Sequence, residues 1–525
     1  MTARRNLADL VAGLETEDLQ AQKRAGEMLL AAGVAAVPSL AQALRTGPPA
    51  SRKAAAYLLG AFHSSDAVVA PLGRALAVDP EPKVRKNAAV ALGKTGAVTA
   101  VPTLAAALAR EGVSWVRPSL ILALGAIADE AAAAALDQVQ VTTDLEKEAL
   151  RKALDRCSAQ RRTRRVAWRV DGARQLRFLL TVPPGLERAA LLEAAERGLG
   201  RCEQVEAGRL RCPPGTDPHQ LIPGLRCITG LLIEAASGPP MDLANPTESA
   251  AALAALVTES VPLQHIRQWL AAEAGAVKYR LVVTPKGIRR ETFRALLSAV
   301  RERCASFDLV DSPSGYDIQL VLRAEAGSSI LFIRPSFVAD TRFAYRHRDV
   351  GAAINPVVAA CLVRLVRSPG SQMVFDPTCG SGTLLIERGF LDGQVQLGGL
   401  DVSRTAVGAA RRNVHAAGLT SQIAINAGNA VDGDHWPRCD EVLANLPFGL
   451  RSRRRDRSLP QLYGAVIQNI TRYLEPGGQA LLYTANRKLL GQCLVQRRRQ
   501  VAVKERLLVQ SGGVNVGAWI LTVAR

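Results

Sequence analysis

The stretch FDPTCGSGTLLIE (375–387) sets a glycine turn between an apolar, β-prone MVFD and a helix-prone TLLIE. Gly380 and Gly382 stand where the strand gives way to the helix, and glycines there let a ligand approach the backbone at the helix start. The spacing is neither G-x-G-x-x-G nor G-K-[ST], which disfavours a dinucleotide or a triphosphate. Working outward, the chain from about residue 350 alternates strands and helices in the βαβ manner. QLGGLDVS predicts a second strand ending at Asp401, where an acid can accept both ribose hydroxyls of a nucleoside. AINAGNAVD (424–432) ends a third strand, with Asn429 placed to reach an adenine edge. EVLANLPFG ends a fourth at Asn445, and QALLYTA, VAVKERLLVQ and AWILTVA read as further strands. These positions all fall at the carboxyl ends of successive strands, where open α/β sheets bind ligands.

The fourth strand runs on as ANLPFGLRSRRRDR (444–457). An exocyclic amine on a base is a weak nucleophile because its lone pair is delocalised into the ring. Two acceptors on its hydrogens, the side-chain oxygen of Asn445 and the carbonyl of Leu446, would draw that nitrogen toward tetrahedral geometry. Pro447 fixes the backbone so that the carbonyl points outward, and Phe448 is placed to stack on an extruded base. Arg451, Arg453, Arg454, Arg455 and Arg457 extend the charge beside it, as a phosphate contact or a solvated loop. Cys379 lies in the glycine turn and no Cys stands in the NLPF motif, which disfavours covalent attack on a ring carbon.

These motifs together resemble the class I S-adenosylmethionine-dependent methyltransferases. DPTCGSGTLLIE, NLPFGLR and LYGAVIQNITRYLEPGGQALLYTANRKLL (462–490) are similar to the THUMP-containing RNA guanine-N2 methyltransferases. The segment FAYRHRDVGAAINPVVAACLVRL (343–365) is similar to the entry into that family's catalytic domain, and TVPPGLERAALLEA (181–194) to the start of its ferredoxin-like domain. The resemblance implies that Asp376, Pro377, Cys379, Gly380, Gly382 and Thr383 hold the donor S-adenosylmethionine. It gives Asp401 to the ribose, Asn429 and Ala430 to the adenine side, Asn445 to Phe448 to the acceptor, and Arg451 with its neighbours to RNA. Position 429 is often Asp in that family. The implied reaction is N2-methylation of guanosine, most readily in tRNA. An rRNA or DNA amino-methyltransferase and a catalytically inactive repeat scaffold are the alternatives.

Upstream, VPSLAQAL (37–44), VAPLGRAL (69–76) and VPTLAAAL (101–108) recur every 32 residues. SRKAAAYLLG, VRKNAAVALG and VRPSLILALG lie between them, in step with Gly60, Gly93 and Gly125. Units this short must stack to bury their apolar stripes, and they resemble HEAT repeats over 1–155. Mixed α+β sequence follows, with a ferredoxin-like region at 166–240 and a THUMP-like RNA-binding region at 255–345, before a Rossmann-like domain at 350–525. The expected fold class is therefore an α-solenoid, then α+β, then α/β. Within the middle part, 239–249 reads as a linker and VPLQHIRQWLAAEAG (261–275) as a helix.

The net charge of +19 is uneven. Residues 1–150 hold 15 basic and 15 acidic side chains, and the remainder carries the excess. A basic part joined to a neutral part suggests that one meets a polyanion. The neutrality of the repeats favours a protein partner there over a wider RNA footprint. RKALDRCSAQRRTRR (151–165) reads as a hinge or an RNA contact, and Arg497 to Arg499 as a basic strip or the outer face of a helix. Nine scattered cysteines without a C-x-x-C pair suit reduced thiols in a cytoplasm, and no metal or membrane span is expected.

Overall fold

The computed structural model describes the chain apart from residues 1, 17, 63–65, 163–165, 223, 273–275, 286, 314, 326, 339, 348–352, 449–458, 512–513 and 524–525. The arginines at 451, 453, 454, 455 and 457 therefore lie outside the described residues. The chain divides into two compact units, Met1–Ala167 with Ala271–Leu281 and Asp308–Ile318, and Trp168–Leu270 with Val282–Phe307 and Gln319–Arg525.

In the first unit, helices Val37–Thr46, Val69–Val78 and Val101–Arg110 alternate with Pro49–Leu59, Pro82–Thr95 and Arg117–Ile127. Prolines at the first turns suit these starts, since their missing N–H would have no partner there anyway. Leu40, Leu59, Leu72, Leu92, Leu104 and Leu120 are fully buried in one continuous core. The periodic glycines mark where successive second helices meet. A Cβ on Gly60 would stand 2.9 Å from the Ala91 Cβ, one on Gly93 2.8 Å from the Ala123 Cα, and one on Gly125 2.4 Å from the Ala153 Cα. A second periodic device is an ion-pair ladder of Arg52–Asp79 (2.8 Å), Arg85–Glu111 (2.8 Å) and Arg117–Glu146 (3.0 Å). Each arginine also donates to a carbonyl at the end of a preceding helix or just beyond it, on Gly47, Asp79 and Leu108. The ladder thus satisfies carbonyls that a helix end leaves without intrahelical partners.

In the second unit, strands Glu203–Glu206, Arg209–Arg211, Phe178–Thr181, Gly230–Gly238, Ser329–Pro335 and Ile318–Ala324 adjoin in that order. Helices Pro246–Glu259 and Arg290–Ala305 pack on one another. The linker reading of 239–249 is corrected in part, because the first of these helices begins at Pro246. Asn245 accepts from the Glu248 amide there, a cap written in the sequence as N-P-T-E. The helix expected over 261–275 is also corrected. The chain makes single turns at Val261–Gln264 and Ile266–Trp269 and then the strand Leu270–Ala272. Trp269 is 1% exposed, its indole N–H donates to the Pro262 carbonyl at 2.8 Å, and its ring packs on Trp168. Burying that ring outweighs the helical pattern.

The C-terminal sheet has seven strands, β1 (Met373–Asp376), β2 (Gln396–Asp401), β3 (Ile423–Ala427), β4 (Cys439–Asn445), β5 (Leu474–Thr484), β6 (Val501–Ser511) and β7 (Val514–Val523). Their order is β3-β2-β1-β4-β5-β7-β6. The first five are parallel, and β7 is antiparallel to both neighbours. Arg497 to Arg499 follow the helix Arg487–Gln496 as an exposed turn rather than forming its outer face.

Gly125→Ala tests the close approach in the repeats. Alanine normally gains about 1 kcal/mol over glycine inside a helix, whereas overpacking costs about 1–3 kcal/mol. With backbone only 2.4 Å away, the clash should dominate, and thermal unfolding should show a lowered midpoint. Gly112→Ala, with nothing within 4 Å, should leave it unchanged.

Candidate active site

The strand order reverses between β1 and β4, so a crevice opens at their carboxyl ends. The turn leaving β1 is fixed by its neighbours. Gly380 and Gly382 have φ of 55° and 81°, which side chains disfavour. The Gly380 amide donates to Asp401 at 3.0 Å, whose other oxygen accepts from Ser403 at 2.8 Å. Asn413 donates its amide to the Ser381 carbonyl at 3.0 Å, and the Cys379 amide reaches the Leu400 carbonyl at 2.8 Å. Asp401 therefore ties the first turn to the second strand while facing the crevice.

A cavity of about 530 Å³ occupies this crevice. It is lined by Asp376, Pro377, Cys379, Gly380, Thr383, Asp401, Asn429, Ala430, Asn445, Leu446 and Pro447, all singled out from sequence. Gly382 and Phe448 do not line it. Gly382 instead caps the helix Thr383–Gly389, where a Cβ would come within 3.4 Å of Ala410. Phe448 is half-buried, its ring 6.2 Å from that of Tyr483 and inclined at 61°. Ala353, Ile354, Thr378, Ser381, Leu384, Val402, Val431, Gln461 and Leu462 complete the lining and were missed. The first two belong to the AAINP segment ahead of the helix Pro356–Val366.

Among the described residues the lining carries two carboxylates and no basic side chain. Asp376 is 1% exposed and accepts from the Thr378 amide at 2.9 Å. Burial holds its carboxyl well above the usual carboxylate range, more than that hydrogen bond lowers it, and Asp401 adds to the rise. Such a group favours a ligand bearing positive charge and disfavours a phosphate. The Cys379 thiol is likewise pushed up by burial, then by Asp376 and Asp401, so it packs as a neutral group.

The Asn445–Phe448 corner touches the glycine turn directly, since Thr378 Oγ1 donates to the Asn445 carbonyl at 3.4 Å. The Leu446 amide donates to the Tyr483 carbonyl at 3.0 Å. Tyr463, fully buried, donates its hydroxyl to the Pro447 carbonyl at 2.9 Å and meets Thr484 Oγ1 at 2.7 Å. Burial pushes that hydroxyl up to about 12. The Leu446 carbonyl accepts no hydrogen bond among the described residues. Tyr463 has no signature of its own in the sequence, because its role arises only when its helix crosses the motif. Asn429 turns its side-chain oxygen onto the Val431 amide at 3.2 Å.

Residues 344–516 match the family described as RMKL-like, methyltransferase domain. This segment is therefore similar to a known methyltransferase domain. Residues 37–125 and 69–155 match HEAT repeats. Over 176 residues the chain is 33% identical to the tRNA (guanine(6)-N2)-methyltransferase of Thermus thermophilus, covering 32% of this chain and 50% of that protein. The chain spans about half the length of the curated relatives it matches. Among solved structures, TrmN from Thermus thermophilus superposes with a TM-score of 0.53 at 23% identity, covering 66% of this chain and all of that one. SMU.472 complexed with SAH superposes with a TM-score of 0.51 at 17% identity, covering 67% and 98%. Both likenesses bear on the fold alone.

Two consecutive residues anchor the helix that follows the glycine turn, Thr383–Gly389. Arg388 makes two hydrogen bonds to Glu441 on β4, at 2.7 and 2.9 Å, with both side chains fully buried. Glu441 also accepts from the Ser368 amide and the Ser371 hydroxyl. Glu387 takes Arg226, from the preceding α+β region, at 2.7 and 2.8 Å and the Tyr345 hydroxyl at 2.6 Å. The Arg226 guanidinium lies over the Phe390 ring, 4.4 Å from its centroid. The helix that starts at the glycine turn is thus fixed on one side to β4 and on the other to the neighbouring region.

Glu441→Ala should lower stability by about 3–5 kcal/mol, because it leaves the Arg388 charge buried without its partner. Arg388→Met combined with Glu441→Leu should recover most of that loss in denaturant unfolding. Equal losses in the single and double variants would show that the pair itself does not hold the helix.

Proposed function

We propose that the chain is an S-adenosylmethionine-dependent RNA methyltransferase that forms N2-methylguanosine, in tRNA. The observation that carries this reading is that both carboxylates of the glycine turn region and the Asn445–Pro447 corner line one cavity. The activity of the Thermus thermophilus relative, a tRNA (guanine(6)-N2)-methyltransferase, agrees with it. The acid-lined, phosphate-averse cavity fits a cationic nucleoside. Asp401 would accept its ribose hydroxyls, Asp376 would face its positive charge, and Asn429 and Ala430 would flank its adenine. When bound, the donor supplies an electrophilic methyl group on a sulfonium centre and leaves as a neutral thioether.

The chain's own part is alignment. Asn445 Oδ1 and the Leu446 carbonyl would accept the two amine hydrogens of an extruded guanine, freeing the nitrogen lone pair. Tyr463 holds the Pro447 carbonyl, which fixes the corner that presents its neighbour. Phe448 would offer a ring face to the base, although it stands outside the cavity in this structure. Arg451, Arg453, Arg454 and Arg455 would meet phosphates beside it. The segments 166–240 and 255–345 would act as ferredoxin-like and THUMP-like regions that grip the RNA, ahead of the catalytic domain at 350–525. A cytoplasmic location belongs to the same reading. All nine cysteines are buried, and among the described residues no helix is long and apolar enough to cross a membrane.

The test is transfer from labelled donor by the full chain to unmodified tRNA transcripts, followed by nucleoside mass spectrometry. N2-methylguanosine should appear. Asn445→Ala should abolish transfer while donor affinity, read by calorimetry, stays within severalfold. Full activity in that variant, or label on adenosine or cytidine, would contradict the assignment.

A further inference from the structure

The repeat array is neutral on average, yet its charges are segregated. Helices Pro49–Leu59, Pro82–Thr95 and Arg117–Ile127 carry seven basic residues and no acidic one. Three of the seven, Arg52, Arg85 and Arg117, are taken up by the buried ladder with Asp79, Glu111 and Glu146. The other four, Lys53, Lys83, Lys86 and Lys94, are exposed, and none is in an ion pair among the described residues. Lys83, Lys86 and Lys94 follow helical spacing along one stripe, with Val90 between them, over about 16 Å.

Two aromatic rings flank this stripe. Tyr57 is 64% exposed and Trp115 is 44% exposed. Lys94 Nζ lies 5.7 Å from the Tyr57 ring centroid and Lys86 Nζ 5.8 Å from that of Trp115. The lysines therefore bridge successive second helices to the rings on either side. Asn87 reinforces the same face through the Lys53 carbonyl at 3.0 Å.

We propose that this face of the repeats binds RNA, the lysines neutralising phosphates and Trp115 and Tyr57 stacking on unpaired bases. Four lysines with no acidic side chain among the three helices complement a polyanion. Exposed rings beside cations are the surface that stacks bases without reading sequence. An acidic polypeptide would use the charge but gives the two rings no planar partner. The array then widens the RNA footprint of the chain, against the expectation of a protein partner drawn from its average charge. The proposal needs RNA binding by the full chain and not methyl transfer, so a chain that binds tRNA without modifying it would contradict the functional reading and leave this face standing.

The test measures binding of an unmodified tRNA transcript to the full chain across a salt series. The triple variant Lys83→Gln, Lys86→Gln, Lys94→Gln should weaken binding and lower the slope of log affinity against log salt by about 3. Trp115→Ala should weaken it about tenfold, within the range of a lost base stack. Thermal unfolding and donor calorimetry should match the parent, and Lys83→Arg, Lys86→Arg, Lys94→Arg should retain the affinity and slope. An unchanged tRNA affinity and slope in the glutamine variant would overturn the proposal. So would a loss that the arginine variant fails to restore, since that would mark the lysines as structural.

Discussion

Arg388 and Glu441, two fully buried opposite charges, join the helix that begins at the glycine turn to the strand that ends at Asn445. Charges buried this deeply persist only when paired and hydrogen-bonded, so each fixes the position of the other. Glu441 lies four residues before Asn445 and Arg388 five residues after Thr383. The pair therefore sets the distance between the two halves of the cavity from its base, while Thr378 and the Asn445 carbonyl join them at its rim. Next to Arg388, Glu387 carries the same rigidity outward through Arg226 and Tyr345.

Electrostatics divides the molecule by task. Among the described residues the cavity shows two carboxylates and no basic side chain, and burial holds one of those carboxyls well above the usual carboxylate range. The chain as a whole is strongly basic. On the proposed reading, a small cationic donor and a large polyanion are then drawn to different places on one chain, without either competing for the other's site. In the repeats the same division is internal. Buried acids take up three arginines, and lysines remain on the surface.

Much of this was legible in the sequence because it is local. A glycine turn, an acid at the next strand end and N-L-P-F each encode their geometry in a few adjacent residues, and eleven of the thirteen cavity assignments line the cavity. The repeat period was equally plain, since each unit restates it. What escaped depends on contacts between distant segments. Tyr463 matters through a carbonyl on another element. The helical pattern at 261–275 yields to the burial of Trp269 against Trp168. The Arg–acid ladder spans 26 to 29 residues per rung, and no single window contains both partners. Average charge likewise does not say which side chains are already paired. The helix at Pro246 is different, because its cap was present in the sequence as N-P-T-E.

The most direct measurement is a crystal structure of the full chain with S-adenosylhomocysteine, the thioether product of the donor. The account predicts density in the crevice above β1, β2 and β4, with the ribose on Asp401 and the sulfur directed toward Asn445 and Pro447. A product bound elsewhere, or one whose sulfur points away from that corner, would contradict it.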